Sequence, residues 1–91
     1  MKSVRVIVSG RVQGVWFRGW TVEQATDLGL VGSVRNCRNG TVEAVLCGPD
    51  DRVDRMLNVL WQGPPLADVT EVEAKPCEEP TDRRFRQLPS A

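Results

Sequence analysis

The feature that most limits the fold of this chain is a change of hydrophobic period that occurs twice along its 91 residues. Val4, Val6 and Val8 alternate with Arg5, Ile7 and Ser9, a period of two that predicts a strand with one apolar face, ending at Gly10. Phe17, Thr21, Ala25 and Leu28 then recur at helical spacing, so a helix is expected over about 18 to 28, with Gly29 as its stop. Leu30 to Asn36 and Thr41 to Cys47 return to alternation. Between them Asn39 and Gly40 occupy positions where a two-residue hairpin turn favours positive φ. From Pro49, Val53, Met56, Leu57 and Leu60 form a second helical stripe, with Asp50 and Asp51 at its positive end and "QGPP" at 62 to 65 closing it; Trp61 is expected to pack at that end. Val69, Val72 and Ala74 predict a fourth strand, whose step of three between the valines points to a bulge or a late start, and Arg84 to Leu88 a short final one before Pro89. The order strand, helix, strand, strand, helix, strand is the split βαβ pattern. It predicts an α+β, ferredoxin-like sandwich (βαββαβ), an antiparallel sheet with two helices on one face, built from residues 1–91 as a single domain.

Charge and composition narrow the function. Twelve basic residues balance twelve acidic ones, so no global field holds the chain on nucleic acid or an anionic membrane, and any anion site is local. Cys37, Cys47 and Cys77 are odd in number and lack CxxC spacing, which favours free thiols over a disulfide framework or zinc site. No secretory apolar segment follows Met1 and no run approaches the ~20 residues that span a bilayer, so a soluble, cytoplasmic protein is expected. Histidine is absent, which removes the usual general base and every Ser-His or Cys-His arrangement.

The segment "GRVQGVWFRGW", 10 to 20, joins the first strand to the first helix. Such a connection can aim successive backbone N–H groups at one point, which attracts phosphate or carboxylate, and Arg18 adds a guanidinium. Gly10 and Gly14 could equally make an ordinary turn beside a surface arginine; arginine in a first helical turn runs against the dipole preference for acidic side chains. No Gly-Lys-Ser/Thr triplet exists, so a Walker loop is excluded. The position six before Arg18 is Val12, so no cysteine stands where a phosphocysteine mechanism needs its nucleophile. Asn36 shares the buried parity of Val34 at a strand end, which fits either a polar group serving a site or a side chain satisfying its own backbone ahead of the turn.

Taken together, "GRVQGVWFR" at 10 to 18 and "GSVRNCRNGTVEAVLCG" at 32 to 48 resemble the two signatures of the acylphosphatase family, a likeness that continues through the "GPP" segment and fades at the carboxyl end. The resemblance implies an enzyme that hydrolyses acyl phosphates to carboxylate and orthophosphate without metal, cofactor or covalent intermediate. By it, the backbone amides of Gln13, Gly14, Val15, Trp16, Phe17 and Arg18 would cradle the phosphoryl group, Arg18 would neutralise its oxygens, and Asn36 would orient the attacking water. A small-molecule substrate is implied, with no nucleic-acid or membrane partner, and a monomer is expected. Trp16 is expected to line the pocket mouth and Phe17 to belong to the core. A non-catalytic anion-binding or interaction module of the same fold is the alternative. The final strand departs from the family pattern: Phe85 is followed by Arg86 and Gln87 where an apolar residue is usual at the second place, which bears on edge pairing rather than on catalysis.

Overall fold

The computed structural model describes residues Met1–Ala91. Its elements are β1 (Lys2–Arg11), α1 (Phe17–Asp27), β2 (Val31–Asn36), β3 (Val42–Gly48), α2 (Asp50–Gln62), β4 (Asp68–Pro76) and β5 (Phe85–Gln87). Each expected element is present, with ends shifted by one or two residues. The sheet order is β4-β1-β3-β2-β5. The four longer strands pair antiparallel, as the split βαβ pattern requires, while β5 lies parallel to β2. The complete sheet is therefore mixed, because the chain leaves β4 at one edge and returns at the other.

Alternation decides which face is covered. Val4, Val6 and Val8 of β1, Val34 of β2, and Val42, Ala44 and Leu46 of β3 are all buried, and they meet Phe17, Trp20 and Ala25 of α1 with Val53, Met56 and Leu60 of α2. α1 lies over β2 and β5, and α2 over β4, β1 and β3. The opposite face carries cross-strand charge: Arg35 Nη2 stands 2.9 Å from Glu43 Oε1, and Arg5 Nε 4.0 Å from Glu43 Oε2. Trp61, expected to pack, instead remains exposed beside the α2 terminus.

Two local irregularities shape the ends of the sheet nearest the β1–α1 connection. The β1–β4 register shifts between Ser9 and Gly10, with Ser9 opposite Glu71 and Gly10 opposite Val69, so Thr70 is the extra residue. This bulge reconciles the three-residue step with two inward valines, Val69 and Val72. Gly10 has φ 116 there, and a Cβ on it would stand 2.8 Å from Thr70 N. The β2–β3 hairpin departs from the expected two-residue turn: Cys37 N donates to Thr41 O (2.9 Å), Gly40 N donates to Cys37 O (3.1 Å), and of Asn39 and Gly40 only Gly40 has positive φ. The loop thus has three residues inside the Cys37–Thr41 closure, a form in which one left-handed glycine suffices. Asn39 does different work, accepting through Oδ1 from Thr41 N (3.1 Å) and Thr41 Oγ1 (2.7 Å).

Candidate active site

Between Arg11 and Phe17 the chain is pinned by two side chains, Val12 and Val15, both buried in the core. The backbone between them stays at the surface. Gly14 has φ 74, and a Cβ placed on it would meet no atom within 4 Å. Trp16 has φ 66, the only non-glycine residue with positive φ, and it is the N-cap of α1. A left-handed tryptophan costs on the order of 1–3 kcal/mol, strain that is found where a connection must take one particular shape. Its indole lies against Gly19, where a Cβ would stand 2.9 Å from Trp16 Cδ1.

This shape leaves donors unused. No residue from Gln13 to Gly19 appears as a backbone donor outside the regular elements, and the first amide to enter the helical ladder is that of Trp20, bonded to Trp16 O at 3.1 Å. α1 has no side-chain cap and no acidic residue in its first turn. The positive end of its dipole therefore faces no protein anion, and an exogenous one is favoured there. Arg18 is half-buried in this turn and takes part in none of the ion pairs.

Asn36 reaches the same place from β2. It stands opposite Val42 of β3, which in turn stands opposite Val8 of β1, so one strand separates it from the strand that launches the loop. Its side chain shares the inward face of Val34. Asn36 Oδ1 is buried and has no hydrogen-bond partner in the protein. Such an acceptor costs about 1–3 kcal/mol unless something donates to it. The turn-satisfying role open to Asn36 in the sequence falls instead to Asn39.

A cavity of about 160 Å³ joins these parts. Gly14, Trp16, Phe17, Arg18 and Asn36 line it, as do Val12 and Gly19. Gln13 and Val15, the other two expected site residues, do not. Val15 is a core anchor. The Gln13 side chain turns away, with Nε2 donating to the carbonyl oxygens of Cys37 (2.8 Å) and Thr41 (2.9 Å). Phe17 serves both sides, since its ring is buried and packs against Trp20 at a centroid distance of 5.3 Å.

One lining residue, Gln87, has no place in the sequence-based site. The C-terminal departure, which suggested a question of edge pairing alone, therefore bears on the pocket. Phe85 pairs with Gly32 and is buried, so Gln87, two residues on, points to the same face beside Val34. Leu88 N donates to Val34 O (2.8 Å) and Ala91 N to Asn36 O (2.9 Å), which holds the end of the chain along β2. The parity of Phe85 with Gln87 was the available signal.

No carboxylate, imidazole or thiol lines the cavity. The two groups with displaced pKa values stand outside it: a hydrogen bond to Asp54 raises that of Lys2, and burial raises that of Cys47, with Glu79 adding to the effect. Around the cavity stand a helix start whose N–H donors are unused, a guanidinium free of ion pairs, and an asparagine whose buried Oδ1 has no partner in the protein. That set suits a tetrahedral anion and a water molecule side by side.

Known proteins are similar to this chain in sequence and in fold. Residues 4–87 match the family model described as Acylphosphatase. The chain is 50% identical over 90 residues to a protein named Acylphosphatase from Rhodospirillum rubrum, covering 99% of both chains. Among solved structures it is similar to the acylphosphatase from Bacillus subtilis, with TM-score 0.92, 31% identity and coverage of 97% of this chain and 99% of that one. It is also similar to an acylphosphatase from Coxiella burnetii, with TM-score 0.88, 39% identity and coverage of 96% and 92%. The uncapped helix start, the free arginine and the orphaned asparagine thus stand in a chain that belongs to the acylphosphatase family.

Proposed function

We propose that this chain hydrolyses the carboxyl–phosphate bond of small acyl phosphates, giving a carboxylate and orthophosphate. The observation that carries the reading is Asn36, whose buried Oδ1 has no partner in the protein, lining one cavity with an unpaired Arg18 and the open start of α1. In this reading the amides from Gly14 to Arg18 hold the phosphoryl oxygens, and Arg18 supplies a two-pronged charge that matches them. Gln13 and Val15 contribute backbone N–H groups at most, because their side chains are engaged elsewhere.

Asn36 Oδ1 accepts a hydrogen bond from a water molecule and turns its lone pair toward phosphorus. As the new P–O bond forms, the bond from phosphorus to the acyl oxygen breaks, and its electron pair leaves with the carboxylate. The conjugate acid of that leaving group has a pKa of about 4, so it departs without a strong proton donor. Placement and charge stabilisation then supply the catalysis, as in phosphoryl transfer generally. Asn36 is too weak a base to take the water's proton, which passes to a phosphoryl oxygen of the substrate.

The expected setting is a monomer in the cytoplasm, with residues 1–91 acting as one acylphosphatase-like unit. Three unbridged cysteines suit a reducing compartment, and no helix is long and apolar enough to cross a membrane. The test is the release of benzoate from benzoyl phosphate in excess chelator, with wild type beside Arg18→Gln. Wild-type turnover that survives chelation and is lost in the variant is expected. Phosphate binding without hydrolysis of any acyl phosphate would instead favour a non-catalytic anion-binding module.

A further inference from the structure

We propose that Gln13 is a positioning residue that sets the distance between the amide loop and Asn36, acting through the β2–β3 turn. The inference rests on the hydrolysis proposed above. The two halves of the site sit on β1 and β2, which are not neighbours; β3 lies between them. Two strand spacings amount to roughly 10 Å, a gap that the sheet fixes along its length but not beyond the last paired residues. The loop and the turn both lie beyond those residues, because Val8 and Asn36 both pair with Val42 at the end of β3.

Gln13 bridges that gap. Its carboxamide nitrogen donates to Cys37 O at 2.8 Å and to Thr41 O at 2.9 Å. The same two residues close the turn, since Cys37 N donates to Thr41 O and Gly40 N to Cys37 O. One side chain therefore clamps both ends of a three-residue loop. Cys37 follows Asn36 directly, so the clamp reaches the peptide adjoining the residue that would hold the water. Of the side chains between Arg11 and Phe17, only that of Gln13 makes a hydrogen bond to another part of the chain. Its neighbours Val12 and Val15 anchor the loop to the core but not to the turn.

The consequence is a division of labour. Phosphoryl affinity resides in the loop and Arg18, which stay together when the clamp is cut. In-line geometry depends on where Asn36 sits relative to them, and a displacement near 1 Å costs about 100-fold in rate. Loss of the clamp should therefore lower kcat and leave inorganic phosphate binding almost intact.

The experiment uses the full chain with Gln13→Met, which keeps the side chain's length and removes its donors. Benzoyl phosphate turnover and the inhibition constant of inorganic phosphate are measured in the wild-type and Asn36→Ala backgrounds, at high enzyme concentration in the latter. Expected is a fall in kcat of about 10- to 100-fold with a phosphate inhibition constant within about 3-fold. In the Asn36→Ala background the same substitution should lower the residual rate by less than about 3-fold, because the residue it positions is gone. An undiminished kcat, a phosphate affinity that falls in step with the rate, or an equal loss in both backgrounds would each overturn the inference. An inactive wild type would instead overturn the proposed hydrolysis. If Gln13→Met fails to fold, NMR of the wild type decides: the Gln13 Nε2 protons should couple across hydrogen bonds to the Cys37 and Thr41 carbonyl carbons, and their absence refutes the clamp.

Discussion

Replacing Asn36 by leucine separates the two roles that an asparagine at a strand end can have. Leucine has the branching of asparagine, is bulkier, and has no group that can hold water. If Asn36 Oδ1 orients the nucleophile, losing it should cost what loss of a single transition-state hydrogen-bonding group costs, about 10²- to 10³-fold in kcat, or roughly 2.7–4 kcal/mol. Stability should move the other way. The oxygen is buried without a protein partner, and an unsatisfied acceptor of this kind destabilises a fold by about 1–3 kcal/mol. Because the residue as a whole is only half-buried, the lower end applies, a gain near 1 kcal/mol. In a domain of this size that raises Tm by about 4–8 °C. Benzoyl phosphate turnover and thermal unfolding, measured on the same preparations, check both halves. A leucine variant less stable by more than about 1 kcal/mol, whose remaining activity merely follows its folded fraction, would show that Asn36 is a structural residue and refute the reasoning.

Arg18→Lys should keep a positive charge yet lose the planar fork; kcat/KM should fall by about 100-fold and phosphate inhibition should weaken, and retention of either would indicate that a point charge suffices. Gly32→Ala should cost more than about 2 kcal/mol in chemical denaturation, because φ is 137 and a Cβ would stand 2.8 Å from the Val45 carbonyl carbon. A change within error would mean that β2 and β3 can part locally. Burial raises the Cys47 thiol above its ordinary 9.0, so the folded chain holds that proton more tightly than the unfolded chain. The associated stability is complete below pH 9.0 and is lost as pH climbs through the raised value; in alkylation at about pH 8, Cys47 should react after Cys37 and Cys77, and equal rates would contradict its burial.

Periodicity made most of the architecture legible, because each strand has one covered face and each helix one covered stripe. Val4, Val6 and Val8 are buried for the reason that made them conspicuous. The broken parity of Val69 and Val72 fitted a bulge or a late start, and the bulge is present, since an extra residue is the means by which both can face inward. The hairpin was less legible. Asn39-Gly40 is compatible with two- and three-residue loops, and the choice depends on where β2 and β3 stop pairing, which lies outside the dipeptide.

Of the candidate site, Arg18, Gly14 and Asn36 were visible as residue types out of keeping with their surroundings: a cation at a helix start, a flexible point in a loop, a polar group on a covered face. Gln13 was visible only as part of a motif, and its clamp could not be foreseen because its partners are backbone carbonyls, which carry no sequence identity. Gln87 was obscured for a topological reason. Its place at the cavity depends on β5 crossing to the far edge and lying parallel to β2, and a three-residue strand has too little periodicity to announce its register.

The most direct test follows the backbone amides of isotope-labelled protein during a titration with inorganic phosphate. Saturable downfield shifts of the amide protons between Gly14 and Arg18 are expected, lost in Arg18→Gln, with the far ends of β1 and β3 unmoved. Saturation with the loop amides unmoved, or shifts gathered on the open face of the sheet, would contradict it.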